Sequence, residues 1–151
     1  MAPWAKDSAR IHWKIYLRGI VFHLGIFIGV AYLIVSPWLI VMPNQLRLSL
    51  LVLFSVAAIL GLVGFPVRLL DRTLRLLSTP DDYFSIALAT FFLASAAVSV
   101  YSREYLPIFW IFSGITMAYA PFGKLRHFIY FSYARFFIGS VFGRRKVLEK
   151  T

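Results

Sequence analysis

Two histidines, His23 and His127, are the residues whose type and surroundings could do chemistry in this otherwise apolar chain. Ionisable residues inside long hydrophobic runs are functional candidates before anything else. His23 follows Arg18 by five residues, which places it ~7.5 Å further along a helix axis. His127 follows Lys124 and Arg126, where another apolar run ends. If the two runs are antiparallel helices, both imidazoles fall at the same depth in one leaflet. That arrangement is what bis-histidine ligation of a b-type haem requires, one axial nitrogen from each helix with the macrocycle between them. Each histidine also follows a glycine by four residues, Gly19 and Gly123. Such a glycine shares the helix face of the imidazole and leaves room there for a porphyrin edge. A plainer reading of the same residues stands beside this one: His23 as a polar bundle residue bonded to a neighbour, His127 as an interfacial cation. The third histidine, His12, lies ~16 Å from His23 along the axis and is read as interfacial.

The elements that must position these residues follow from hydropathy. Apolar residues make up 60% of the 151 residues and charged ones only 15%, against about half and a quarter in a soluble domain. With 15 Phe, 8 Tyr and 4 Trp, the solvent for most of this surface has to be lipid. Four runs are long enough to cross a bilayer core of ~30 Å: about 15–41, 48–70, 83–101 and 106–127. The third is introduced by Ser78-Thr79-Pro80-Asp81-Asp82, a helix start with capping side chains, proline in the first turn and acids at the positive end of the dipole. Pro121 is expected to kink the fourth before Lys124. Residues 128–151 are read as a cytoplasmic tail containing an interfacial helix, its basic end on anionic headgroups. The expected fold is therefore all-α, one membrane domain built as a four-helix bundle.

Charge fixes the expected orientation. Fourteen of the 16 basic residues precede the first run, lie between the second and third, or follow the centre of the fourth. Only Arg47 and Arg103 fall in the other two connections. By the positive-inside rule this predicts both termini in the cytoplasm and a multi-pass protein of the inner (cytoplasmic) membrane. The net charge of +10 is thus spent on topology and lipid headgroups, and a nucleic-acid partner is not expected.

Other chemistries are excluded by what is missing. With no cysteine, this chain holds no disulfide, no iron–sulfur cluster and no covalently attached c-type haem. None of the six acids falls inside an apolar run, which argues against a proton-coupled transporter. No phosphate-cradling glycine loop and no paired broken segments occur, so a secondary transporter is poorly supported.

Three segments resemble a known family. Phe22-His23-Leu24-Gly25-Ile26, the arginine-rich stretch Arg72-Thr73-Leu74-Arg75 leading through Ser78-Thr79 to Asp82, and Pro121-Phe122-Gly123-Lys124-Leu125-Arg126-His127 occur in this order over roughly residues 15–135. They resemble the gamma subunit of respiratory nitrate reductase and the related membrane cytochromes of heterodisulfide reductases and dissimilatory sulfite reductase-linked complexes. The resemblance implies haem b, quinone chemistry with menaquinone or ubiquinone, and a cytoplasmic iron–sulfur partner subunit. It implies that His23 and His127 are the axial ligands of the haem nearer the cytoplasm. The family's outer pair of ligands would fall at Leu33 and Phe109, neither able to bind iron, so a single-haem form is implied.

The expected function is a membrane-anchor cytochrome b subunit that passes electrons between that partner and the quinone pool, catalysing nothing alone. Gly19 and Gly123 would flank the haem. Lys124, Arg126, Arg72 and Arg75 are candidates for haem propionates or for the partner's surface, or are ordinary positive-inside residues. The alternative is a haem-free structural membrane subunit that anchors a larger complex. A small channel, the third class, would need polar residues lining a path through every helix, and the outer half offers little beyond Ser36, Ser95 and Ser99.

Overall fold

A computed structural model describes residues 13–39, 41–124 and 126–144. Among them all regular structure is helical: α1 (Trp13–Val35), α2 (Asn44–Leu70), the short α3 (Arg72–Leu77), α4 (Pro80–Tyr101), a 3-10 turn (Arg103–Tyr105), α5 (Leu106–Tyr119) and α6 (Arg126–Arg144). Three helices, α1, α2 and α4, are long and apolar enough to cross a membrane. α5, with 14 residues, rises only ~21 Å on its own.

Helix ends follow local chemistry more closely than hydropathy does. α1 stops at Val35, six residues short of the apolar run, because Pro37 cannot continue it and Ser36 to Trp38 form a turn. α2 begins directly after Pro43. α4 starts where the capping residues predict. The Thr79 backbone N–H donates to Asp82 Oδ2 at 2.8 Å and its hydroxyl does so at 3.1 Å, with Pro80 in the first turn. The fourth apolar run is not one helix: α5 ends at Tyr119, and a turn through Pro121 to Lys124 precedes α6.

α4 is the central helix, packed against α1, α2 and α5. Its buried face is built from small side chains, including Ser85, Ala89, Thr90, Ser95, Ala96, Ala97 and Ser99. Small residues let backbones approach closely where lipid supplies no hydrophobic drive to association. Gly25 and Gly29 on α1 do the same: a Cβ on Gly25 would lie 2.6 Å from Ala57 Cβ, and one on Gly29 would lie 2.7 Å from the Phe92 ring. The outward faces carry large apolar residues such as Leu24, Phe27, Val52, Ile59, Phe91 and Ile111, as lipid-facing surface requires.

One end of the bundle is filled by aromatics. Phe54, Phe92 and Phe109 are fully buried. The Tyr32 ring lies 5.8 Å from Phe54 and 5.3 Å from Phe109, and Phe92 lies 5.5 Å from Phe109, the spacing at which tilted rings attract. Hydrogen bonds from Trp110 Nε1 to Ser36 Oγ (3.1 Å) and from Arg103 to the Leu39 carbonyl tie the chain after α1 to α5 and to the 3-10 turn.

The contact at Gly25 sets a test. Gly25→Leu should force α1 away from Ala57 and Leu93 and destabilise the bundle by about 1–3 kcal/mol. Denaturant titration in detergent micelles should register the loss, whereas Leu24→Ala on the exposed face of the same helix should change little.

Candidate functional site

The opposite end of the bundle is hollow. A cavity of about 610 Å³ opens there, lined by Arg18, Gly19, Phe22, His23 and Ile26 of α1, by Gly61, Gly64 and Arg68 of α2, and by Asp82, Ser85 and Ala89 of α4. Lys124 and Phe131 complete the wall. Glycine shapes its wall: a Cβ on Gly61 would lie 2.3 Å from Thr90 Oγ1 of α4 and 2.7 Å from the Phe22 ring, so only glycine lets both lie against α2.

His23 stands exposed along this wall with its Nδ1 2.7 Å from the Gly19 carbonyl oxygen. A carbonyl oxygen can only accept, so Nδ1 is the donor in this contact. The glycine four residues earlier therefore does two things: it lines the cavity, and its carbonyl orients the imidazole. Histidines that bind metals characteristically donate their other N–H to such a carbonyl. Among the described residues no group of three His, Asp or Glu side chains comes together as a metal site.

The polar end of the cavity is organised by two acids. Asp82, already the N3 residue of the α4 capping box, pairs with Lys124 Nζ at 2.6 Å and with Arg68 Nη1 at 3.3 Å. Asp81 accepts from the Lys124 backbone N–H at 2.8 Å and from the Tyr119 hydroxyl. One turn of α4 thus holds the end of α2, the end of α5 and the loop from 120 to 124. Three cationic side chains, Arg18, Arg68 and Lys124, face the cavity beside these acids.

The remaining expected site residues are distributed differently. The face of Gly123 is covered by the Tyr119 ring, whose edge also packs on Phe84 at 4.7 Å, and Gly123 does not line the cavity. Arg126 is exposed in the first turn of α6. Arg72 and Arg75 are exposed on α3, away from the cavity wall. That helix is capped by Asp71, which accepts from Thr73 N and Leu74 N at 2.8 and 3.0 Å. His127 belongs to α6, and its side chain lies outside the described residues. Sequence reasoning missed Arg18, Arg68 and Asp82 as members of one site. The capping motif marked Asp82, but only as a helix start.

No family model, no curated protein and no solved structure matches this chain.

The acid node yields a prediction. Asp82→Ala removes the cap and both ion pairs together, and should cost about 1–3 kcal/mol. Limited proteolysis of the detergent-solubilised protein should then cut the 120–124 loop faster. Asp82→Asn, which keeps an acceptor for Thr79, should recover part of the loss.

Proposed function

We propose that this chain is the membrane-anchor subunit of a quinone-linked respiratory complex, holding one haem b between His23 and His127 and passing electrons between a cytoplasmic iron–sulfur partner and menaquinone or ubiquinone. The observation that carries the reading is His23 itself: an imidazole oriented by an Nδ1 hydrogen bond to the Gly19 carbonyl of its own helix, on the wall of a cavity with an apolar body and a cationic rim. Cofactor pockets typically enclose about 300–1,000 Å³, and 610 Å³ lies inside that range. Position 127 lies one turn before Phe131 on α6, and Phe131 lines the same cavity, so the helix that carries the second ligand borders the site. Arg18, Arg68 and Lys124 are the cations at its rim for propionates.

Bound there, the haem supplies one-electron chemistry. This chain would hold it through the imidazoles of His23 and His127, with the apolar cavity wall and the charged groups at its rim fixing its orientation. A single haem is proposed because Phe109 is sealed in the aromatic cluster and the cavity at that end measures about 280 Å³. The proposed topology is four spans with both termini cytoplasmic, the fourth formed by α5 with the 3-10 turn before it, and α6 at the interface. Together Arg103–Tyr119 number 17 residues, the short end of what spans a bilayer. Arg72 and Arg75 stand beside the exposed Leu70, Leu76 and Leu77 at the same end as the cavity, and this patch is proposed as the partner's docking surface.

A second reading, a haem-free structural subunit, is favoured by one observation: Arg68 and Lys124 already satisfy Asp82, so the node closes without a cofactor.

A reduced-minus-oxidised visible spectrum of the purified protein separates the two, because the bands of a b-type haem are absent from a scaffold. A pyridine haemochrome assay should return one haem per chain. His23→Ala and His127→Ala should each abolish the low-spin spectrum while His12→Ala preserves it. A six-coordinate spectrum surviving in His23→Ala would remove that residue as a ligand.

Docking is tested separately. Reversing Arg72 and Arg75 to Glu should release the partner subunit or slow haem reduction by it, with the haem spectrum intact. Normal partner binding in that double variant, correctly inserted, would exclude α3 as the docking site.

A further inference from the structure

The aromatic end of the bundle has its own small cavity, about 280 Å³, and the lining differs in kind from that of the first. Arg47 and Arg103 both border it. These are the two basic residues that charge counting leaves on the sparsely charged side of the chain. They come from different connections, one in the first turn of α2 and the other in the 3-10 turn after α4, yet they converge on one site. Between them the wall carries three hydroxyls, Tyr32, Ser36 and Ser99, each at least nine-tenths buried. Leu39, Met42 and Leu106 supply apolar wall. Glu104, the one acid of that end, is not among the lining residues.

Two permanently charged guanidinium groups on one small cavity, with no carboxylate lining it, make a local field that attracts an anion. Arginine at this end also works against the charge asymmetry that orients a membrane protein. The guanidinium forks match phosphate oxygens, which accept several donors at once. The Ser36 and Ser99 hydroxyls already donate to the carbonyls of Leu33 and Ala96, and the apolar wall suits whatever chain or backbone the phosphate carries.

We infer that this cavity binds a phosphate group, most naturally that of an anionic phospholipid headgroup in the leaflet opposite the His23 site. The site is independent of the haem reading, since none of its residues lines the first cavity. Arg47 holds the phosphate from the exposed side. Arg103 holds it while bonded to the Leu39 carbonyl, so the anion also fastens the segment between α1 and α2 to the turn before α5.

Native mass spectrometry of the full-length protein, exchanged from micelles doped with phosphatidylglycerol or with phosphatidylcholine of the same chains, tests this. One phosphatidylglycerol should be retained at collision energies that strip phosphatidylcholine. Arg47→Gln should lower that retention by about tenfold or more, the effect of losing one charge-assisted contact. Arg75→Gln, at the opposite end, should not. Arg103→Gln should act like Arg47→Gln. Because it also frees Leu39, Arg47→Gln, exposed at its helix start, decides the matter if Arg103→Gln fails to fold. If no lipid is retained but millimolar inorganic phosphate raises the melting temperature of the wild type and not of Arg47→Gln, the phosphate comes from a free anion and the site stands. Equal retention of both lipids, or undiminished phosphatidylglycerol retention in Arg47→Gln, together with no phosphate effect, overturns it.

Discussion

α1, α2 and α4 are long and apolar enough to cross a membrane, where helices would gain nothing by hiding apolar side chains from one another and would be held together by how closely their backbones approach. That distance is set at Gly25 against Ala57, Gly29 against Phe92 and Gly61 against Thr90 and Phe22. Everything else depends on these contacts. They bring the buried face of α4 within reach of both neighbours, and they fix the two open volumes of the bundle by deciding where backbone, rather than side chain, forms the wall.

The two ends then diverge because their side chains differ in size, although the helices are the same. Where Gly61, Gly64, Ser85 and Ala89 face inward, a cavity remains. Where Phe54, Phe92, Phe109 and Tyr32 face inward, the space is taken. The hollow end is also the end at which charges are paired across elements, through Asp81 and Asp82. Carboxylates at a helix start sit favourably in the dipole field, and at this start they also bind the ends of α2 and α5. A cavity rimmed by cations and anchored by acids keeps its shape without a filled centre.

Much of this was legible in the residues. Composition gave helices of membrane-spanning length, and the run Ser78 to Asp82 marked the stretch in which α4 starts, with Thr79 as its N-cap. The four-residue spacing from Gly19 to His23 anticipated a shared face and the cavity wall, though not the hydrogen bond from the ring to the glycine carbonyl. Hydropathy overran the end of the first helix because it averages over Pro37, whose effect is local and steric; the kink expected at Pro121 is a turn that ends the helix at Tyr119. Gly123 carries the same spacing to His127, yet what occupies its face is Tyr119, packed from the helix before it. The ion pairs of Asp82 were not legible, because a partner 42 residues away, as Lys124 is, leaves no periodic trace. The convergence of Arg47 and Arg103 was hidden in the same way.

The hydroxyls of the central helix have a further consequence. Thr90 and Ser95 each donate to a carbonyl of their own helix, four and three residues back. Polarity satisfied inside one helix carries no information about which neighbour is correct. Substitution along α4 is therefore filtered by volume far more than by polarity. Over evolutionary drift, alanine and serine should trade places there freely, while a single added methylene against α1 or α2 should be purged. A lineage of such bundles would keep its shape while losing recognisable sequence, and relatives would have to be sought by the positions of their small residues.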